Sequence, residues 1–183
     1  MPDAKKIRGS TNVPWLRLIL LIIGVVALDR ITKAMVSAAM SPGQMKPVLG
    51  DFFRLTFVQN PGGAFGTRFG GNLFYIIAAL IAATVLVVWL LRKWHLTFGF
   101  AGISLMLGGA AGNLWDRATV GVVVDFLDFG IGSTRWPTFN IADSAITIGI
   151  VLLILQEFFF ANEKPCNIAV ESGSDNDTAA QDK

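Results

Sequence analysis

Four apolar windows, near residues 14–35, 72–91, 98–116 and 140–161, constrain this chain more than any other feature. Each approaches the ~20 residues that a helix rising ~1.5 Å per residue needs to cross ~30 Å of hydrocarbon. The expectation is an all-α membrane protein with four transmembrane helices, and the composition agrees, with 53% hydrophobic and only 15% charged residues. Lys5, Lys6 and Arg8 ahead of the first window resemble the start of a signal peptide. That window lacks a small-x-small cleavage site and runs on into Asp29, Arg30 and Lys33, which favours a retained helix.

The connections differ in kind. Residues 36–71 are too long for a turn and contain "VLGDFFRLTFV", rich in β-branched and aromatic residues, so one or two short strands are expected between Val48 and Val58, in a small extracytoplasmic β-rich platform. "RKWHLT" reads as a tight turn. Residues 117–139 mix Gly121, Gly130, Gly132 and Pro137 with aromatics, and read as loop with partly ordered backbone. One domain is expected over 1–161, followed at 162–183 by a disordered cytoplasmic tail whose end, "ESGSDNDTAAQDK", has no large apolar side chains. The Lys/Arg tally across the connections is ambiguous. The charge density of the first eight residues and of the "RKWH" turn favours both termini inside.

That topology puts the end of the first helix, the first and third connections, the end of the third helix and the start of the fourth on one side of the membrane. Asp29, Lys33, Asn60, Asn113, Asp116, Arg117, Asp125, Asp128, Asn140 and Asp143 all fall in those places. The net charge of +2, without a basic stripe interleaved with exposed aromatics, argues against nucleic acid. The only histidine, His95, falls in the opposite turn, which excludes a Ser-His triad or a His-ligated zinc facing the polar cluster. Cys166 is also on the wrong side for a nucleophile, and a single cysteine forms no internal disulfide.

Asp29 and Lys33 are four apart and share a helical face, as a helix-end ion pair or as support for a site. "NPGGAFG" at 60–66 suits a turn, and Gly108 and Gly112 have the spacing that brings membrane helices close together. Asp116 and Arg117 are compatible with an interfacial pair. Asp125 and Asp143 lack an obvious local cation, and each would be desolvated. Singly, each suits a structural partner or a proton relay. Brought together, two such carboxylates cannot both ionise cheaply and would share a proton, which is the chemistry of an aspartic hydrolase. Intramembrane carboxylates alone also suit a small proton-coupled transporter or relay protein.

Five blocks occur in order: "DRITK" at 29–33, "NPGGAFG" at 60–66, "GGAAGNLWDR" at 108–117, "VDFLD" at 124–128 and "FNIAD" at 139–143. Together they closely resemble the bacterial lipoprotein signal peptidases, also called type II signal peptidases, over about residues 14–161. The resemblance implies an aspartic endopeptidase of the inner membrane that cuts prolipoproteins just before a diacylglyceryl-modified cysteine. It implies Asp125 and Asp143 as the catalytic pair and Asn60, Gly109, Asn113, Arg117 and Asn140 as substrate-binding residues. Asp29 and Lys33 would support the site at the periplasmic face. Lipidated prolipoproteins and membrane lipids would be the partners of a monomer that needs no metal or organic cofactor. Two departures are Arg30, where the family commonly has a polar uncharged residue, and the acidic tail.

Overall fold

The computed structural model describes residues 15–63, 67, 70–92 and 97–160. Residues 93–95 of the "RKWH" turn, His95 among them, Cys166, the tail and residues 64–66 of "NPGGAFG" lie outside them. Four helices run α1 Trp15–Ala39, α2 Gly71–Arg92, α3 Thr97–Thr119 and α4 Ile141–Phe160, and four strands run β1 Met45–Leu49, β2 Phe53–Asn60, β3 Val123–Ile131 and β4 Thr134–Arg135. Every apolar window is a helix. Two helices, α2 and α4, contain stretches long and apolar enough to cross a membrane, Gly71–Leu91 and Ile141–Phe159. The other two are more polar, because α1 carries Asp29, Arg30 and Lys33 and α3 carries Asp116 and Arg117.

The helices are apolar on the outside. Leu16, Ile23 and Ile31 of α1, Leu73 and Val85 of α2 and Ile154 of α4 are exposed. On α1 the buried face is Leu18, Val25, Asp29, Lys33 and Val36, spaced as one side of a helix, and its centre is charged. A cluster around Leu18, Leu90, Phe100 and Ile103 closes one end of the bundle, and a second around Val36, Met40, Phe57 and Phe126 seats the sheet on the other. The polar residues lie between the two clusters.

The platform is a single antiparallel sheet in the order β1-β2-β3-β4. The third connection, expected as loop, contributes β3, the longest strand. Its glycines suggested irregular backbone, but only Gly121 and Gly132, which flank the strand, adopt positive φ, of 84° and 56°. Strand β3 pairs with β2 through Phe53↔Phe129, Arg54↔Asp128 and Val58↔Asp125, with a bulge between Leu55 and Val58.

Two contacts place the sheet over the helices. Phe139 bridges Leu127, its carbonyl accepting from the N–H groups of Phe126 at 3.0 Å and Leu127 at 2.8 Å. The residue that follows, Asn140, is thereby held against β3 where α4 begins. On the outer side of the sheet, Asp128 accepts from Thr56 Oγ1 at 2.7 Å and Arg135 Nε at 2.6 Å and pairs with Arg54 Nε at 3.4 Å, tying β2, β3 and β4 together. Arg54 and Arg135, ambiguous in the topology tally, thus have a structural job.

Candidate active site

Asp125 comes from β3 and Asp143 from the first turn of α4, and two asparagines join them. Asn140 is the cap residue of α4. Its Oδ1 accepts the Asp143 N–H at 2.9 Å, and the Asp143 carboxylate accepts the Asn140 N–H at 3.3 Å, a reciprocal capping box that satisfies donors a helix start leaves free. Asn140 Nδ2 donates to Asp125 Oδ1 at 2.6 Å. Asn113, near the end of α3, donates from Nδ2 to Asp143 Oδ1 at 2.8 Å, while its Oδ1 accepts from Asn140 at 3.2 Å. Asn60 closes the other side, donating to Asp125 Oδ2 at 2.9 Å. It lies two residues beyond Val58, the strand partner of Asp125, and therefore on the same face of the sheet.

Burial sets the electrostatics. Asp125 is buried and Asp143 half-buried. Desolvation pushes the Asp125 carboxyl up to about 7; hydrogen bonds from Asn60 and Asn140 and the Lys33 charge oppose the rise, and the charge of Asp143 adds to it. Asp128, three residues on, goes the other way. Its burial is outweighed by hydrogen bonds from Arg135 and Thr56 and by the charges of Arg135 and Arg54, which hold it below the usual carboxylate range.

Beneath the pair lies a closed ion cluster. The Lys33 ammonium is 2.8 Å from Asp29 Oδ2, 2.8 Å from Asp116 Oδ2 and 2.9 Å from Asn113 Oδ1. Asp116 also pairs with Arg30, which lies 5.9 Å from the Trp115 ring centroid. Asp29 Oδ1 accepts the Ala142 N–H at 3.0 Å, one residue before Asp143. Gly112 makes room for this carboxylate, since a Cβ there would sit 2.7 Å from Asp29 Oδ2.

Similarity to known proteins gives the family. Residues 21–159 match the family model of signal peptidase (SPase) II. The chain belongs to the signal peptidase II family. A lipoprotein signal peptidase from Desulforapulum autotrophicum is 41% identical over 152 residues, covering 78% of this chain and 92% of that protein. One from Burkholderia mallei is 42% identical over 156 residues, covering 83% and 92%. Of solved structures, a bacterial membrane enzyme determined in meso at 2.3 Å superposes with a TM-score of 0.72 at 35% identity, covering 81% of this chain and 93% of the other.

In this signal peptidase II chain, the residues expected at the site are distributed unevenly around the carboxylates. Asn60, Asn113 and Asn140 touch them directly. Arg117 is 8% exposed; its Nη2 donates to the Gly62 carbonyl and its guanidinium stacks 4.6 Å over the Tyr75 ring, while Nη1 has no hydrogen-bond partner. Gly109 lies where α3 meets α4, and a Cβ there would be 2.8 Å from Ile146 Cγ1. Asp116 and Arg117 do not pair with each other, because consecutive helical residues point ~100° apart, and here Asp116 faces α1 and Arg117 faces the loop before α2. Asn140 caps α4 and lies one residue ahead of its first helical residue, Ile141. Two residues escaped the sequence reading: Tyr75 under Arg117, and Asn72, whose Nδ2 donates to the Arg117 carbonyl at 2.9 Å. Their signal was the polar start "GNLFY" of an otherwise apolar helix.

Proposed function

We propose that the chain is an aspartic endopeptidase that removes signal peptides from diacylglyceryl-modified prolipoproteins, cutting before the lipidated cysteine, with Asp125 and Asp143 as the catalytic pair. Family membership supports signal-peptide removal. The observation that carries the assignment of residues is that Asn140 bonds both carboxylates at once, Asp125 through Nδ2 at 2.6 Å and Asp143 through its backbone N–H at 3.3 Å. Groups held by one residue lie within reach of one water and one scissile amide.

Asp125, pushed up to about 7, is the member we assign the shared proton. Asp143 takes a proton from water as the water oxygen bonds to the scissile carbonyl carbon, and Asp125 gives its proton to the carbonyl oxygen. The proton on Asp143 then passes to the leaving nitrogen as the C–N bond breaks, and a hydroxyl of the intermediate returns a proton to Asp125. Asn113 and Asn140 hold the carboxylates, Asn60 and Arg117 meet the substrate backbone, and Gly109 lets α3 approach α4 closely beside the site.

The membrane arrangement is part of the proposal. All four helices span the inner membrane, both termini are cytoplasmic, and the sheet and carboxylates sit at the periplasmic face of a monomer with one domain over residues 1–161. The outward apolar faces of α1, α2 and α4 support it, as does the burial of every charged residue of the Lys33 cluster except Arg30. A substrate anchored by acyl chains would reach the site by lateral diffusion. In a Cys166→Ser background, a cysteine at Ser133 in the β3–β4 turn should react with an impermeant maleimide from the periplasmic side. Labelling only after the cytoplasm is opened would reverse the orientation.

The direct test is cleavage of a diacylglyceryl-modified prolipoprotein by purified Asp125→Asn and Asp143→Asn. Each should lose ~10²–10⁴-fold in kcat, the range for general acid–base groups. Near wild-type cleavage by either folded variant overturns the pair.

A further inference from the structure

Lys33 touches neither carboxylate of the pair, is 2% exposed, and lies under the site between α1 and α3. Its ammonium also donates to Asn113 Oδ1 at 2.9 Å. That bond determines which way round the Asn113 amide stands. A lysine ammonium only donates and an ionised carboxylate only accepts, so with Lys33 on one side and Asp143 on the other, Asn113 must turn Oδ1 to Lys33 and Nδ2 to Asp143. The same Oδ1 accepts Asn140 Nδ2, and that amide reaches Asp125. The buried Lys33 charge thus bears on the donor direction of Asn113, while Asn140 is oriented by its own cap, its Oδ1 accepting the Asp143 N–H and its Nδ2 reaching the Val124 carbonyl at 3.3 Å.

We propose that Lys33 is a positioning residue that fixes the Asn113 amide and so aims its Nδ2 at the Asp143 carboxylate and its Oδ1 at Asn140. This rests on the Asp125–Asp143 reading given above. The surrounding charges give the role a clean test. Asp143 faces Asp29 and Lys33 from α1, Arg117 from α3, and Asp125 from β3. Within the cluster, Asp29 and Asp116 are balanced by Lys33 and Arg30. Removing Lys33 alone leaves a buried carboxylate without its cation, which threatens the fold. Removing Asp29 with it restores neutrality, because Arg30 remains to pair with Asp116.

The variants are therefore Lys33→Met with Asp29→Asn, which keeps an Oδ1 for the Ala142 N–H and leaves Asp116 to Arg30, and the same pair with Asp116→Asn added, which leaves only the half-buried Arg30 charged. Both are purified in detergent, checked by circular dichroism and melting, and assayed on a diacylglyceryl-modified prolipoprotein across pH. With Asn113 free to turn, the folded pair should lose about 10²-fold in kcat, the scale of a misplaced catalytic group, while KM stays within about threefold because Lys33 meets no substrate. The acid limb of the pH–rate profile should move to higher pH, because the base loses an aimed donor while the removed Lys33 and Asp29 charges offset each other. A role confined to stability would lower the melting temperature and leave that limb in place. If a folded pair keeps wild-type kcat and the wild-type limb while Asp143→Asn is inactive in the same assay, the positioning role of Lys33 is wrong and the catalytic pair stands. If Asp143→Asn cleaves normally, the underlying reading fails.

Discussion

Asn140 and Asp143 cap each other: the Asp143 N–H donates to Asn140 Oδ1 at 2.9 Å and the Asn140 N–H returns a bond to Asp143 Oδ2 at 3.3 Å. The helix start and the site are thus one object. Asn140→Ala removes the cap and the Nδ2 donor to buried Asp125. It should destabilise the protein by ~1–3 kcal/mol, from the cap and the lost hydrogen bonds to charge. Activity should fall at temperatures well below the new melting point. Thermal unfolding in detergent and initial cleavage rates check both.

Asn60 gives the pH test. Its bond to Asp125 Oδ2 at 2.9 Å favours the carboxylate and holds the pKa down against the burial that pushes it to about 7. In the proposed mechanism Asp125 is the acid and works while protonated, so the wild-type rate should fall as pH rises through about 7. Asn60→Ala removes a bond to the ionised form, keeps the proton on to higher pH and moves this alkaline limb upward. A limb that stays or moves down would show that Asp125 is not the acid. The same sign applies to stability: the folded chain binds this proton more tightly than an unfolded aspartate of pKa ~3.9, so its contribution is lost as pH rises through that window.

Gly112 tests the cluster from its other side. A methyl group placed 2.7 Å from Asp29 Oδ2 must push the carboxylate away from Lys33 and from the Ala142 N–H. Gly112→Ala should cost ~1–3 kcal/mol, as overpacking in close-packed interiors does. It should also lower kcat, since Ala142 adjoins Asp143. Melting curves and single-turnover cleavage of the same preparation separate the two effects.

Asp128 is the control outside the site. Its bonds to Thr56 and Arg135 and its pairing with Arg54 tie three strands together, and they hold its pKa down. Stability from a depressed carboxylate is present above the unfolded pKa of ~3.9 and lost as pH falls below it. Asp128→Asn should therefore loosen β3 and β4 at neutral pH, seen as faster amide exchange in those strands. The difference from wild type should shrink in acid, where both lack the charge.

Much of the fold was legible along the chain because it depends on local composition. Each apolar window became a helix, and the β-branched run before Val58 became β2. Strand β3 was hidden. Its glycines and aspartates read as loop, and only the pairing with β2 and β4 gives "VVDFLDFGI" its strand partners.

At the site, the sequence by itself determined the cast: Asp125, Asp143, the asparagines, and Asp29 with Lys33 at a spacing whose pair did form at 2.8 Å. The tertiary structure decided the partners. Lys33 bonds Asn113, 80 residues away, Asp29 bonds Ala142, 113 residues away, and Asp116 turns to Lys33 and Arg30 instead of its neighbour Arg117. Periodicity reports only which face of one helix a residue occupies. Which charge meets which carboxylate depends on how α1, α3, α4 and β3 pack, and that packing follows from close approaches such as Gly112 on Asp29 and from the Phe139 bridge that brings Asn140 to Asp125.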